Sequence, residues 1–298
     1  MRPSRSLQSL SHAVELIPLQ SRPCVSKGIS RTEERHLGGK ALKDEKNVVV
    51  VGLGEVGRPL FELFSTHNKV IGVDIAPFTG PKETVDVLHI CFPFEIKDFV
   101  GESARYIELF EPALTIINST VAIGTTRKIA ERTGTAVVNS PVRGKHARML
   151  EELRTYTKFV GAMDAASAKA AAEHFERAGL KTKILSNPEA TELAKLTETT
   201  YFGLLIAWAQ EIERYCDQAE QSFEEVISFY EEIAYLPKTK FFPGIIGGHC
   251  VMPNIEILRK FDESALLRTI RDSNRAKVER ESRKPLGSQA TKAIGSTG

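Results

Sequence analysis

A glycine-rich turn that joins a run of β-branched residues to an amphipathic stretch constrains the fold of this chain more than any other feature. The run Val48–Val51 has the composition of a strand that is buried on both faces of a parallel sheet. The turn after it has the pattern GxGxxG and consists of Gly52, Leu53, Gly54, Glu55, Val56 and Gly57. The pattern alone is a weak signal, but a turn that follows a strand and opens a helix is typical of dinucleotide-binding folds.

We expect the residues of this GxGxxG turn to contribute to binding a dinucleotide. Gly52 allows the tight turn, Gly54 lets the backbone approach a pyrophosphate, and Gly57 lets the helix pack closely on the strand. The helix that begins after Glu55 and Val56 offers unsatisfied N–H groups to the phosphates. We therefore expect all five residues at the cofactor.

A carboxylate follows the second predicted strand, which covers residues 69–73. This residue, Asp74, lies 22 residues after Gly52. An acid at this position accepts hydrogen bonds from ribose hydroxyls and repels a 2′-phosphate. The sequence therefore predicts NAD, and not NADP, as the cofactor. The alternative is a glycine-rich turn and a capping aspartate that bind no ligand. We consider it less favoured because strand, turn, helix, strand and acid follow one another in the order of a dinucleotide-binding unit.

Strands and helices continue to alternate along the chain. The predicted strands cover 85–92, 114–118, 136–139, 158–162 and 182–185, and the predicted helices cover 96–110, a segment ending near 132, and 165–178. Such alternation predicts an α/β fold, a Rossmann-type doubly wound parallel sheet. Ligands of these sheets bind beyond the carboxyl ends of the strands, so the loops that follow the strands are candidate site loops.

Two of these loops carry candidate cofactor contacts, namely Pro93, Ser119 and Thr120. Ordinary turn chemistry explains Ser119 equally well. A third loop carries the polar side chains Arg143, Lys145 and His146. These three could bind an anionic group of the substrate, or they could face solvent.

The second half of the chain has a helical pattern. Asn187-Pro188 opens a helix that continues to about Gln218, and such a helix is near 45 Å long at about 1.5 Å per residue. A helix of this length links domains or forms the core of a dimer, so we expect a smaller all-helical domain and a homodimer through this helix. Lys195 lies in its first third, where the ammonium either extends to solvent or enters the active site with a lowered pKa.

A cysteine follows two glycines further downstream. Gly247 and Gly248 permit the close approach of a ligand or another backbone, and Pro253 suits the first turn of a helix. Cys250 would then lie near a helix N-terminus, which lowers the pKa of a thiol from about 8.5 toward neutrality and makes it a nucleophile. The alternative is a buried, inert cysteine. We expect that structural part for the other cysteines, Cys24, Cys91 and Cys216.

Composition limits the class of protein. The 298 residues are 42% hydrophobic and 26% charged, and the net charge is +2. These values are those of a globular protein and favour neither nucleic acid nor a membrane as a partner. Four widely spaced cysteines predict reduced thiols, no metal site and a cytoplasmic location.

We expect four segments along the chain. They are a disordered extension over 1–45, an NAD-binding domain over 46–187, a helical central or dimerisation domain over 188–280, and a disordered tail over 281–298. The basic, serine-containing N-terminus is also compatible with an organellar transit peptide. We favour a plain extension because no amphipathic stripe accompanies the basic residues.

Together these segments resemble the UDP-glucose/GDP-mannose (nucleotide-sugar) dehydrogenase family between about residues 47 and 275. Five pieces in the family's order carry the resemblance: the GxGxxG turn with Asp74, residues 86–93 (DVLHICFP), 119–126 (STVAIGTT), 192–196 (ELAKL) and 247–250 (GGHC). No single piece is decisive, but five in this order are specific.

The resemblance implies a protein that oxidises the primary alcohol of a sugar twice with two NAD. It implies that Cys250 attacks the intermediate aldehyde, that Lys195 stabilises the oxyanion or moves a proton, and that Thr120 orients water. This combines covalent catalysis with electrostatic stabilisation. It also implies that Gly247 and Gly248 face the substrate.

Four positions depart from the family pattern. The family has glutamate where Val142 stands, threonine where Phe94 stands, asparagine where Thr199 stands and aspartate where Asn254 stands. We still expect Asn254 in the catalytic site and Thr199 at the substrate. An amide forms hydrogen bonds but takes no proton at neutral pH, so hydrolysis of the covalent intermediate is the step most affected.

The family has a third, C-terminal domain that holds much of the nucleotide, and we expect this chain to lack it. The substrate would then be a smaller sugar-like or anionic molecule, a partner would complete the site, or activity would be lost. Two further functions therefore stay open beside the leading one. One is a two-electron dehydrogenase of the 6-phosphogluconate or 3-hydroxyisobutyrate type that uses Lys195 and no thiol, and the other is a non-catalytic NAD-binding protein.

Overall fold

The computed structural model describes residues 46–74, 84–144, 148–234, 241–248 and 250–283. The predicted N-terminal extension, most of the predicted tail, and the candidate residues Lys145 and His146 lie outside the described residues. The limits given above for the four segments stay predictions.

Seven strands of the described residues form one sheet. They are β1 (Asn47–Val51), β2 (Lys69–Val73), β3 (Val87–Ile90), β4 (Leu114–Ile117), β5 (Val137–Asn139), β6 (Lys158–Ala162) and β7 (Thr182–Ile184). Their order in the sheet is β2-β1-β3-β4-β5-β6-β7, so that the chain winds outward from β1 in both directions. The predicted doubly wound α/β fold is confirmed.

One strand pair differs from the predicted parallel sheet. β5 and β6 run antiparallel, with Val138 opposite Ala162 and Asn139 opposite Gly161, whereas the other neighbouring pairs are parallel. A short apolar run carries no information about strand direction, and an α/β alternation therefore predicted a parallel pair by default. As a result, the first residue of β6 lies at the edge of the sheet where the parallel strands end.

Helices cover both faces of the sheet. α1 (Gly57–Phe64), α4 (Met149–Thr155) and α5 (Ala165–Arg177) pack on one face, and α2 (Phe99–Phe110) and α3 (Thr125–Thr133) pack on the other. Successive side chains of β1 alternate between the layers: Val48 and Val50 enter the first core, and Val49 and Val51 enter the second. The buried aliphatic surface stabilises both layers by about 25 cal/mol per Å².

Side-chain caps explain where several helices begin. α2 begins at Phe99, later than predicted, because the Asp98 carboxylate accepts the N–H of Gly101. Asp164 caps α5, which begins at residue 165 as predicted, since its carboxylate accepts the N–H of Ser167. The seven-residue α4 was not predicted, because so short a helix has too few turns to show a clear period.

The rest of the described chain is helical. It contains α6 (Pro188–Gln218), α7 (Phe223–Ser228), a 3₁₀ turn (Phe229–Glu232), α8 (Val251–Phe261) and α9 (Ala265–Ser282). α6 has 31 residues and is therefore about 46 Å long. Asn187 caps it by accepting the N–H of Ala190 at 2.9 Å. In the described part of the chain, no helix combines the length and apolar character that crossing a membrane requires.

α6 joins the sheet to the helical layer. Near its start it lies on β6, and a Cβ at Gly161 would come within 2.7 Å of the Thr191 hydroxyl oxygen. Its middle packs on α8 and α9 in a separate apolar cluster. The buried members of this cluster are Ala207, Ile246, Val251, Ile255, Leu267 and Ile270.

Candidate active site

The glycines of the GxGxxG turn close it tightly on one side and leave it open on the other. Gly52 has φ +88°, a conformation that favours glycine, and a Cβ there would lie 2.7 Å from the backbone nitrogen of Phe92. A Cβ at Gly57, the first residue of α1, would overlap the carbonyl oxygen of Gly52. A Cβ at Gly54 would meet no atom within 4 Å. The backbone at Gly54 therefore borders open space, as close approach to a pyrophosphate requires.

A cleft of about 660 Å³ opens beside this turn. Its walls include Asp74 and three side chains that the sequence did not single out, Phe92, Tyr106 and Arg105. The Arg105 guanidinium lies 4.2 Å from the centre of the Tyr106 ring. An acid at the end of β2, aromatic walls and an open glycine turn together fit the adenosine half of a dinucleotide.

The other cofactor-side candidates lie on loops after β3 and β4. Pro93 is exposed, and Thr120 is half-buried. The Ser119 hydroxyl is buried and donates to the Phe92 carbonyl oxygen at 2.6 Å, which ties the ends of the two strands together. Turn chemistry thus accounts for Ser119, whereas Thr120 and Pro93 stay candidate contacts.

The candidate lysine and thiol lie on facing surfaces of α6 and α8. Lys195 and Thr199 are one turn apart on α6, and Cys250 and Asn254 are one turn apart at the start of α8. The Asn254 amide donates to the Thr199 hydroxyl oxygen at 3.0 Å. The two departures from the family pattern at 199 and 254 are therefore hydrogen-bond partners of each other.

A glycine that the sequence did not single out lets the two helices approach. Gly203 is buried on α6, one turn beyond Thr199, and a Cβ there would lie 2.6 Å from the Cγ1 atom of Val251. Val251 is the first residue of α8 and follows the thiol directly. The absence of a side chain at 203 therefore sets how closely the cysteine approaches α6.

Burial shifts the pKa values of the two candidate groups in opposite directions. It lowers the pKa of Lys195, although the Glu198 carboxylate, 3.9 Å from the ammonium, opposes the shift. Burial raises the pKa of Cys250; the charge of Lys195 offsets part of this rise, and Glu55 of the glycine turn adds to it. The predicted lowering of the thiol pKa is therefore wrong, because desolvation of the half-buried sulfur outweighs the effect of the neighbouring cation.

The turn before the cysteine is held by side chains from α6 and α9. The Asn274 amide clamps the backbone of Ile246, since its oxygen accepts the N–H at 2.7 Å and its nitrogen donates to the carbonyl at 2.9 Å. Gln210 donates to the Gly244 carbonyl oxygen at 2.7 Å. Gly248 follows with φ +74°, and both Gly247 and Gly248 are exposed. Asn274 and Gln210 have no sequence signal of their own, because their partners are backbone atoms far along the chain.

The candidate anion-binding arginine is paired within the protein. The Arg143 guanidinium lies 2.9 Å from the Glu198 carboxylate and 5.4 Å from the centre of the Phe159 ring. Val142, beside it, is buried in the core of the sheet. Glu198 thus lies between Arg143 and Lys195, and an anionic ligand at Arg143 would compete with this carboxylate.

A buried carboxylate connects α6 with the loop after β4. Glu192 accepts the backbone N–H groups of Gly124 and Thr126 at 2.6 and 2.9 Å. These groups begin α3, where a carboxylate is stabilised by the helix dipole. Burial raises the pKa of Glu192, and these hydrogen bonds oppose the rise. Across residues 46–283, apart from the gaps given above, no group of three or more His, Cys, Asp or Glu side chains could hold a metal ion.

The fold and this site define a class of protein, an α/β chain with a dinucleotide-type turn and a facing lysine and thiol on the helices that follow. Residues 189–276 match the family model for the central domain of the UDP-glucose/GDP-mannose dehydrogenase family. This segment is similar to such a central domain, and the resemblance predicted from the sequence is confirmed.

Individual relatives agree with this family. UDP-N-acetyl-D-mannosamine dehydrogenase from Methanocaldococcus jannaschii is 27% identical over 281 residues, which cover 77% of this chain and 65% of that protein. The chain thus spans about two thirds of the length of this relative. In structure, the chain resembles the UDP-D-ManNAc dehydrogenase of Pyrococcus horikoshii with a TM-score of 0.70 at 23% identity, covering 79% of this chain and 70% of that one.

The fold is also shared with a smaller dehydrogenase. The 3-hydroxyisobutyrate dehydrogenase of Mycobacterium tuberculosis matches with a TM-score of 0.61 at 15% identity. The match covers 80% of this chain and 94% of that one. At this identity the likeness concerns the fold alone.

Proposed function

We propose that this protein is an NAD-dependent dehydrogenase that oxidises the primary alcohol of a sugar nucleotide or a related sugar, with Cys250 as a covalent nucleophile. The observation that carries the proposal is the placement of Cys250 and Lys195 on facing surfaces of α8 and α6, close enough for their charges to interact. The open glycine turn and the cleft beside Asp74 support NAD as the cofactor.

NAD, when bound, accepts a hydride in each oxidation. Lys195 takes up the proton of the substrate alcohol in the first oxidation. The Cys250 thiolate then forms a bond to the aldehyde carbon, the carbonyl electron pair moves to oxygen, and the Lys195 ammonium stabilises that oxyanion. Loss of hydride from this adduct gives a thioester. Water oriented by Thr120 cleaves its carbon–sulfur bond, which releases the carboxylic acid and restores the thiol.

The pKa shifts at the site bear on how the thiolate forms. A raised pKa makes the thiol a weaker acid, and a lowered pKa makes the lysine amine a weaker base. Because the free energy of proton transfer follows the pKa difference, the amine removes the thiol proton less readily here than it would between the free groups. Lys195 would instead favour the thiolate as the ammonium formed in the first oxidation, whose charge offsets part of the rise in the thiol pKa, while the thiol proton passes to solvent.

The names of the relatives suggest a substrate class. Several are dehydrogenases of UDP-N-acetyl-D-mannosamine, and one from Ralstonia nicotianae is an NDP-N-acetyl-D-galactosaminuronic acid dehydrogenase. We therefore propose a nucleotide-linked N-acetylhexosamine as the first substrate class to assay. Arg143, together with Lys145 and His146, would bind an anionic group of that substrate.

The experiment that tests the proposal is a count of NADH formed per substrate molecule when substrate is limiting. Two NADH per sugar nucleotide support the four-electron reaction, and Cys250→Ser should then stop at or before the aldehyde. The absence of NADH across a panel of nucleotide sugars, despite measurable NAD binding, would instead indicate a non-catalytic NAD-binding protein.

A two-electron reaction is the second candidate function. The raised thiol pKa favours this candidate, because burial disfavours the thiolate that covalent chemistry needs. Lys195 would then act alone as the acid–base group, and Cys250→Ser would leave turnover nearly unchanged. One NADH per substrate molecule in the same count would support this candidate.

We also propose a homodimer through α6. Three large aromatic side chains at seven-residue intervals are half-exposed along this helix, namely Tyr201, Trp208 and Tyr215. A heptad stripe of this kind is typical of helix–helix interfaces. Sedimentation equilibrium should show a dimer for the parent chain and a monomer for Trp208→Glu, and a parent chain that is monomeric would contradict the proposal.

A further inference from the structure

Two buried lysines of this protein have different partners. The Lys277 ammonium, on α9, lies 2.6 Å from Glu213 and 2.9 Å from Glu281. Lys158 is buried as deeply, with 3% of its surface exposed, yet it forms no ion pair with a carboxylate among the described residues. A buried cation without such a partner lowers stability, so its position calls for an explanation other than stability.

The bonds of Lys158 are made to the ends of two strands. Its ammonium donates to the Asn118 side-chain oxygen at 3.2 Å and to the Ser140 carbonyl oxygen. Asn118 follows β4, and Ser140 follows β5. Lys158 reaches both because it is the first residue of β6, and the antiparallel direction of β6 places that residue at the edge where β4 and β5 end.

The same edge carries both candidate site loops. Ser119 and Thr120 directly follow Asn118, and residues 141–143 directly follow Ser140. The two loops are also joined by the Val142 N–H, which donates to the Asn118 carbonyl oxygen at 3.2 Å. The Lys158 ammonium thus connects the first residues of the candidate cofactor loop, which begins at Asn118, and the candidate substrate loop, which begins at Ser140.

The Lys158 bond also fixes the orientation of a buried polar chain. Because the Asn118 oxygen accepts from Lys158, its amide nitrogen must face His89, and it lies 3.0 Å from the Nδ1 atom. His89 Nδ1 must therefore accept, so the ring proton is on Nε2. That nitrogen lies 2.9 Å from Nε2 of His174 and donates to it. Lys158 thereby determines the tautomer of His89 through the side chain of Asn118, which contacts both.

We propose that Lys158 is a positioning residue that sets the relative placement of the loop 118–121 and the loop 140–143. The inference rests on the proposed function only in assigning these loops to NAD and substrate. Burial lowers the pKa of Lys158 to about 7. This lowering is expected for an amine that is held in the protein interior without a carboxylate partner.

The test compares Lys158→Met and Lys158→Arg with Lys277→Met as a matched buried-lysine control. At a temperature well below every melting transition, Lys158→Met should weaken NAD binding about tenfold, and Lys158→Arg should stay within about threefold of the parent chain. Amide hydrogen exchange should rise in loops 118–121 and 140–143 of Lys158→Met. Lys277→Met should lower Tm while leaving the NAD Kd and the exchange of both loops unchanged.

A measurement on the parent chain covers the case in which Lys158→Met does not fold. Nitrogen-15 NMR of the imidazole rings should show His89 protonated on Nε2 and not on Nδ1. An Nδ1-protonated His89, or a folded Lys158→Met variant with parent-like NAD affinity and loop exchange, would overturn the inference. A parent chain that binds no NAD would contradict the proposed function instead. The NMR and exchange results would still show whether Lys158 positions the two loops.

Discussion

The glycine turn and the thiol site are built by different means. The glycine turn owes its shape to missing side chains, because a Cβ at Gly57 would overlap the carbonyl oxygen of Gly52, and a Cβ at Gly52 would lie against the backbone of Phe92, just after β3. The thiol site owes its shape to side chains that meet across α6, α8 and α9, including Thr199 with Asn254 and Asn274 with Ile246. The glycine pattern that defines the first arrangement is local in sequence, whereas the partners that define the second lie far apart along the chain.

This difference predicts a different response to substitution. A change in the glycine turn should affect ligand binding directly, since the backbone itself faces the ligand. A change behind the thiol site should act through the placement of Cys250.

Gly57→Ala should abolish NAD binding or reduce it by about 100-fold, because the new methyl group must displace the turn that we propose to hold the phosphates. Titration calorimetry with NAD measures the change. Gly54→Ala is the matched variant, since a Cβ there meets no protein atom. It should keep the parent Tm and lose NAD affinity, and parent-like affinity in Gly54→Ala would show that the pyrophosphate does not approach this glycine.

Gly203→Ala should destabilise the helical layer by about 1–3 kcal/mol, because the added Cβ forces Val251 and the start of α8 away from α6. Denaturant unfolding gives the free energy. Gly244→Ala, in the loop before the thiol, has open space at its Cβ and serves as the control. If the two variants were equally stable, close approach of the helices at 203 would be disproved.

Alkylation of Cys250 should become faster as the pH rises, and the increase should continue above pH 9.0, because burial raises the pKa of the thiol above that ordinary value. The thiolate is the reacting form, so the rate follows its fraction. Lys195→Met should slow alkylation at a fixed alkaline pH, since the lysine charge favours the thiolate. The exposed Lys169→Met is the control, and a rate that reaches a plateau near neutrality would contradict the raised pKa.

The hydrogen-bonded pair Thr199 and Asn254, which depart from the family pattern, should contribute little to stability. Thr199→Val and Asn254→Leu should each cost about 1 kcal/mol, because each removes the hydrogen bond between the two buried side chains. A double-mutant cycle should therefore give a coupling energy of about 0.5–3 kcal/mol. Additive effects would show that the two residues act independently.

The local character of the glycine turn explains why the sequence predicted it well. β1, the turn, α1 and Asp74 all lie within a short stretch, and each has a composition that a strand, a helix or a tight turn demands. The start of α6 at Asn187-Pro188 was predicted for the same reason, since the capping side chain and its partner are three residues apart. In these cases the interactions that determine the structure join residues close together in the sequence.

The remaining features depend on contacts that the sequence does not encode locally. The antiparallel direction of β6 has no counterpart in its composition, and the part of Lys158 follows from that direction alone. The clamp at Asn274 joins side chain to backbone across 28 positions of the chain. The pKa of Cys250 rises because tertiary packing buries the sulfur, which a helix-terminus argument does not take into account.

The central claim is that Cys250, facing Lys195, forms a covalent bond to the substrate. The most direct test is intact-protein mass spectrometry after rapid acid quenching of the protein with NAD and UDP-N-acetyl-D-mannosamine. We expect an added mass equal to the acyl group of the oxidised sugar nucleotide on Cys250, absent in Cys250→Ser. Rapid NADH formation with no adduct at any time, and equal turnover by Cys250→Ser, would contradict it.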